Sequence, residues 1–138
     1  MASDISPALR ARVAERADYR CEYCLIHEDD AGFSHEVDHI VSRKHGGTSS
    51  EDNLAYACLV CNRNKGSDIA STHPETGKIL RLYHPRRDRW RDHFRLNGAF
   101  IEPLTDLGAV TLRLLRMNAP ERIAERRILQ SLRTYPVR

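Results

Sequence analysis

The sequence has no long hydrophobic run. No segment approaches the roughly 18 consecutive apolar residues of a membrane-spanning helix, which argues against an integral membrane protein. The opening residues, MASDISPALR, lack the apolar stretch of a secretory signal, and the chain contains no internal repeat or low-complexity segment. We therefore expect a cytoplasmic protein with no membrane partner, in a compartment where disulfides are rare.

The composition is that of an ordinary globular protein, but its charge is unevenly distributed. The 138 residues suffice for a single domain, 1–138, and 41% of them are hydrophobic and 30% charged. Residues 1–77 carry 8 basic and 13 acidic side chains, a net charge of −5, whereas residues 78–138 carry 14 and 6, a net charge of +8. The basic part suits a polyanionic partner. The alternative is that these charges form solvated faces and ion pairs of surface helices.

Local signals in the first half predict a helix followed by a compact ββα unit. Ser6 has the character of an N-cap, and apolar residues then recur at helical spacing, which predicts an N-terminal helix over 7–20. Strands are expected over 35–41 and 54–57, and a helix interrupted by glycine is expected over 58–68. The sequence thus predicts an α+β fold.

The second half, residues 78–138, reads as a mixed helix and strand extension. We expect it to pack on the ββα unit because it has few residues for a core of its own. Its predicted elements are a strand over 79–83, a helix over 86–96, a short strand within 99–105, a helix from Thr105 to about Met117, and a helix with Pro120 near its first turn.

The cysteines form two CxxC pairs. The first is CEYC, with Cys21 and Cys24, and the second is CLVC, with Cys58 and Cys61. Zinc takes four tetrahedral ligands, and each CxxC turn can supply two of them, so we predict a structural zinc site. A redox CxxC, free buried cysteines and disulfides remain as alternatives. A zinc ion held by four cysteines has no open position for water, so it should not be the catalytic metal.

The stretch EVDHIVSRKHGG, residues 36–47, places an acid beside a histidine. Asp38 is a hard oxygen ligand suited to Mg²⁺ or Mn²⁺, and His39 is a base suited to pH 7. Hydrolysis of a phosphodiester needs such a base for the attacking water and a cation at the phosphate. Because neighbours in a strand point to opposite faces, both can serve one site only if the strand ends or twists there.

Two asparagines complete the candidate site. Asn62 directly follows Cys61, and its amide oxygen can ligate a hard cation. Asn53 lies where the loop enters the second strand, and its side chain can bond backbone groups and hold the loop. For each asparagine the alternative is an ordinary turn or cap residue.

Residues 21–68 resemble the HNH (His-Asn-His) endonuclease family, the ββα-metal or His-Me finger nucleases. The order matches: CxxC, then DH, GG, an asparagine, and a second CxxC followed at once by a ligand residue and Lys-Gly. The extension, with HPRRDRW and TDLGAVTLRLLRMN, is similar to that of a bacterial and phage subgroup.

The resemblance implies a role for each site residue. Asp38 and Asn62 would bind the catalytic Mg²⁺ or Mn²⁺, His39 would be the general base, and Asn53 would orient the loop and thus His39. Asn62 stands where the family often has histidine, so the chain would be an HNN variant. The implied reaction is hydrolysis of a nucleic-acid phosphodiester, leaving 5′-phosphate and 3′-hydroxyl ends.

Further basic residues are candidates for nucleic-acid contacts, which position a substrate without specifying its sequence. They are Arg43, Lys44, Arg63 and Lys65 in the ββα unit and Arg86, Arg87 and Arg91 in the extension. The leading interpretation is a metal-dependent DNA endonuclease. The alternatives are a zinc-stabilised nucleic-acid-binding module without catalysis and an RNA-directed nuclease.

Overall fold

The first helix, α1, spans Pro7–Arg16 in the computed structural model, which describes residues 5–136. The Ser6 hydroxyl accepts a hydrogen bond from the N–H of Leu9 at 3.1 Å, as its N-cap character predicts. The predicted helix over 7–20 is too long, because Asp18 and Tyr19 adopt positive φ angles of 55° and 59°, which end the helix. Predictions that concern residues 1–4 and 137–138 lie outside the described residues.

The predicted ββα unit is present. Strands β1 (Glu36–His39) and β2 (Leu54–Ala57) pair antiparallel, with Asp38 opposite Ala55, and helix α2 (Leu59–Lys65) follows directly. All four residues of β2 are buried because α1 covers one face of the hairpin and the cysteine cluster covers the other. Helix α2 ends at Gly66, which has a positive φ of 51°. The α+β fold class is therefore confirmed.

Residues 70–136 contain two hairpins and three helices within the described range. The strands are β3 (Ala70–Thr72), β4 (Ile79–Arg81), β5 (Phe94–Asn97) and β6 (Phe100–Pro103), which pair β3 with β4 and β5 with β6. The helices are α3 (Trp90–His93), α4 (Asp106–Leu114) and α5 (Pro120–Ser131). Thr105 caps α4 through its hydroxyl, as predicted.

The predicted helix over 86–96 is wrong. Only Trp90–His93 is helical, and the chain continues into β5, where buried Phe94 pairs with Pro103 of β6. Trp90 and Phe94, whose spacing suggested a helix, still contact each other, with ring centroids 5.2 Å apart. The Asn97-Gly98 turn, with a φ of 59° at glycine, is a hairpin signal in the sequence. Pairing with β6 therefore outweighs the helical pattern.

Direct hydrogen bonds join the extension to the first half. The Trp90 Nε1–H donates to the carbonyl of Tyr23 at 2.8 Å, and the Tyr135 hydroxyl donates to the carbonyl of Cys24 at 2.6 Å. One buried cluster contains residues of both parts, among them Ala55, Phe94, Ile101 and Leu115. Of the helices within 5–136, none combines the length and apolar character needed to cross a bilayer.

Candidate functional site

The four cysteines meet in a buried cluster. Their sulfur atoms all lie within 4.8 Å of one another, and none of them forms a disulfide. Zinc–sulfur bonds of about 2.3 Å in a tetrahedron place sulfurs about 3.8 Å apart, and Cys24 Sγ and Cys58 Sγ are 3.7 Å apart. The N–H groups of Cys24 and Cys61 each approach the first sulfur of their own pair at 3.4 Å. The residues are thus positioned to bind a metal, and their chemistry fits zinc.

Arg122 of α5 contacts this cluster, a residue that sequence reasoning missed. Its Nη2 lies 3.0 Å from Cys61 Sγ and 3.8 Å from Cys58 Sγ, while Nη1 donates to the carbonyls of Leu115 and Arg116. Burial opposes the charge of Arg122, but the neighbouring sulfurs outweigh it and raise its pKa. No spacing signal links positions 61 residues apart, so only the fold reveals this contact.

Asp38 is buried, with 4% of its surface exposed. Its Oδ2 accepts a hydrogen bond from the Tyr23 hydroxyl at 2.9 Å, and its Oδ1 accepts one from Lys65 Nζ at 3.2 Å. Lys65 also donates to the carbonyl of His39 at 3.1 Å. Burial raises the pKa of Asp38, while Lys65 and Tyr23 act in the opposite direction. Lys65 is therefore not exposed for the phosphate contact considered from the sequence, because its buried ammonium group balances the charge of Asp38.

Asn62 lies three residues before Lys65 in α2, so both residues occupy the same side of the helix. Its side chain is half-buried and forms no hydrogen bond to the rest of the described chain. A carboxylate offers about four acceptor positions, so Asp38 retains capacity beyond its bonds to Tyr23 and Lys65. Carboxylate and amide oxygens are the ligand types of a hard divalent cation, but one oxygen of Asp38 is already bonded to the ammonium group of Lys65.

His39 is the last residue of β1 and points away from Asp38. Its Nε2 is 2.9 Å from the Ser49 hydroxyl, and the side chain lines a cavity of about 270 Å³ together with Arg10, Glu36 and others. Asp38 instead faces α2, as strand alternation requires. The two side chains therefore lie on opposite faces of β1, and the end of the strand at His39 does not by itself bring them to one site.

Asn53 holds the loop between β1 and β2. Its Oδ1 accepts the N–H of Val41 at 2.9 Å, and its Nδ2 donates to the carbonyls of Val41 at 2.9 Å and Thr48 at 2.7 Å. Gly47 packs against the same strand end, where a Cβ would lie 1.7 Å from the carbonyl oxygen of Val41. Ser49, the partner of His39, follows Thr48 directly, so Asn53 holds the loop segment that carries the hydrogen-bond partner of His39.

The predicted basic contacts occupy different environments. Arg43 and Lys44 form an exposed 3₁₀ turn, Arg63 is exposed on α2, and Arg87 and Arg91 are exposed in the extension. Arg86 is mostly buried and forms an ion pair with Glu22, which ties the extension to the first CxxC turn. Arg86 is therefore less available to a nucleic acid than the exposed arginines, because its charge is paired with Glu22.

The fold and the cysteine cluster define a small ββα-metal protein. Residues 21–68 match the model of the HNH endonuclease family, so this part of the chain is an HNH domain and the predicted resemblance is confirmed. The matched segment contains both CxxC pairs, Asp38, His39 and the two asparagines. The family indicates nuclease activity on nucleic acid. Comparison with curated proteins and with solved structures found no match.

Proposed function

We propose that this protein is a metal-dependent endonuclease that hydrolyses phosphodiester bonds of DNA to 5′-phosphate and 3′-hydroxyl ends. The observation that carries the proposal is the position of His39, at the end of β1 within the HNH domain, with its ring anchored by Ser49. Ser49 fixes the orientation of the half-buried ring, and the ring lines a cavity that a substrate could enter.

His39 is the general base in this proposal. In the tautomer with its proton on Nε2, the ring donates to the Ser49 hydroxyl, and Nδ1 is left to accept a proton from the attacking water. Asn53 holds the loop that carries Ser49, so it acts as a positioning residue for the His39 ring. Removal of the imidazole should lower the rate of cleavage and leave the core intact.

Asp38 and Asn62 would hold a catalytic Mg²⁺ or Mn²⁺, which would supply positive charge at the scissile phosphate. Lys65 keeps the buried Asp38 carboxylate charge-balanced and fixes its orientation together with Tyr23. The buried pair of Asp38 and Lys65 also favours one alternative, a zinc-stabilised nucleic-acid-binding module, because the carboxylate already has a cation as partner.

The exposed cations are proposed to contact the DNA backbone. They are Arg43, Lys44 and Arg63 in the HNH domain and Arg87 and Arg91 in the extension. We also propose that the extension, residues 78–138, forms one domain with the HNH unit in a cytoplasmic protein. The hydrogen bonds of Trp90 and Tyr135 to the first CxxC turn support this arrangement.

The deciding experiment tests cleavage by the purified protein. Supercoiled plasmid DNA and a structured RNA are each incubated with Mg²⁺, Mn²⁺ or a chelator. We expect metal-dependent nicking of DNA that is lost in His39→Ala and retained in His45→Ala, a matched control in the same region with an exposed side chain.

Three outcomes would contradict the proposal. Cleavage of RNA alone would identify an RNA-directed nuclease. DNA binding without cleavage in either metal would identify the binding module. A His39→Ala variant that cuts at the wild-type rate would refute the assignment of the general base.

A further inference from the structure

An open groove of about 680 Å³ lies on the extension beside the first CxxC turn. Its lining is basic and apolar, and no carboxylate contributes to it. The residues that matter for its chemistry are Arg20, Arg89, Arg91, Trp90, Leu25 and Leu96. A groove with this combination of charges attracts an anion that also carries an apolar surface.

Arg89 and Arg91 differ from the other arginines near the groove. Both are exposed, and no acidic side chain among residues 5–136 forms an ion pair with either of them. By contrast, Arg81 is paired with Asp88 and Arg95 with Glu102 in the same extension. The two unpaired guanidinium groups are therefore available for an external anion.

Trp90 lines the groove together with these two arginines, and two contacts hold its side chain in place. Its Nε1–H is bonded to the carbonyl of Tyr23 at 2.8 Å, and its ring packs against Phe94 at 5.2 Å between centroids. The hydroxyl of the same Tyr23 donates to Asp38. One tyrosine thus connects the groove with the proposed metal-binding carboxylate.

We propose that the groove binds an unpaired nucleotide of the nucleic-acid substrate. Its phosphates would lie on Arg89 and Arg91, and its base would lie against Trp90 and Leu96. Proteins that hold single strands combine a positive groove with an aromatic ring in this way, and the volume is within the roughly 300–1,000 Å³ of small-molecule pockets. The inference rests on the proposed function, because it assumes a nucleic-acid substrate.

The test uses Trp90 as its own reporter, since it is the single tryptophan of the chain. The full-length His39→Ala protein, with its zinc retained and no Mg²⁺ or Mn²⁺ added, is titrated with a single-stranded oligonucleotide while tryptophan fluorescence is recorded. We expect a saturable change in fluorescence. Arg89→Ala and Arg91→Ala, each made in that background, should weaken binding about tenfold or more.

The salt dependence of binding adds a second readout. Each lost contact should make the slope of log affinity against log salt shallower by about 0.7 for a single strand. Arg127→Ala is the matched control, because it removes one exposed arginine of α5 that does not line the groove. An oligonucleotide with abasic sites should bind with a smaller fluorescence change, because the base is missing from Trp90.

The result separates this inference from the proposed function. If the protein binds nucleic acid but Trp90 gives no signal and both arginine variants bind like Arg127→Ala, the groove inference is overturned. A fluorescence change that a duplex produces as strongly as a single strand would overturn it as well. If no nucleic acid binds in any form, the proposed function itself fails.

Discussion

Replacement of Arg122 by glutamine should weaken zinc binding without any change to the four ligands. Four thiolates and Zn²⁺ carry a net charge of −2, and Arg122 is a buried cation with Nη2 only 3.0 Å from Cys61 Sγ. Without it, that excess negative charge would be less well compensated inside the protein. A glutamine can still donate a hydrogen bond, but it supplies no charge.

The magnitude follows from the contacts that are lost. Outer partners of metal ligands typically contribute 10- to 100-fold in metal affinity, which corresponds to about 1.4–2.7 kcal/mol. We expect Arg122→Gln near the upper end, since Nη2 reaches both Cys61 and Cys58. The zinc affinity of Arg122→Lys should lie between those of the wild type and Arg122→Gln. Lysine keeps the positive charge but lacks the planar guanidinium group that also bonds the carbonyls of Leu115 and Arg116.

The assay measures zinc directly. The rate of zinc release to a chromogenic chelator and the zinc content after dialysis against graded chelator are compared for wild type and variants. Arg126→Gln is the control: Arg126 is also buried, four residues along α5, and it donates to the Ala99 carbonyl and to Asn118 but contacts no sulfur. It should lower the free energy of unfolding without accelerating zinc release from the folded protein.

Two results would refute this reasoning. Arg122→Gln could retain zinc as tightly as the wild type, which would mean that the sulfur contacts contribute no affinity. Alternatively, Arg126→Gln could release zinc as fast as Arg122→Gln, which would mean that general destabilisation, not the charge of Arg122, controls zinc loss.

Three further predictions concern the proposed nuclease site. Ser49→Ala should lower kcat about 10- to 100-fold with little change in KM, because the His39 ring loses its hydrogen-bond partner. Ser49→Thr keeps a hydroxyl and should be as active as the wild type, whereas equal rates for all three proteins would exclude a positioning role of Ser49. Gly47→Ala should lower the free energy of unfolding by about 1–3 kcal/mol in a denaturant titration, whereas Gly32→Ala, with open space around it, should not. In a metal titration, Asn62→His should retain metal-dependent cleavage because imidazole is also a metal ligand, and Asn62→Ala should lose it. An active Asn62→Ala variant would exclude Asn62 as a ligand.

Much of the HNH unit could be predicted from the sequence because its signals are local. The caps at Ser6 and Thr105 depend on one side chain and the N–H groups of the next turn. Each CxxC pair carries its geometry within four residues, so the clustering of the four cysteines could be predicted from their spacing. The order of Asp38, Asn53 and the second CxxC likewise lies along the chain, and it was sufficient to identify the family.

Tertiary structure alone decided the contacts between distant residues. In the sequence, Lys65 cannot be distinguished from any basic residue at the end of a helix. Only the packing of α2 on β1 buries it against Asp38. Phe94 has helical spacing from Trp90, yet pairing with β6 places it in a strand. Arg122 reaches Cys61 because α5 folds back over the cysteine cluster. The energies of such contacts depend on burial and on partners from other elements, and a one-dimensional pattern contains neither.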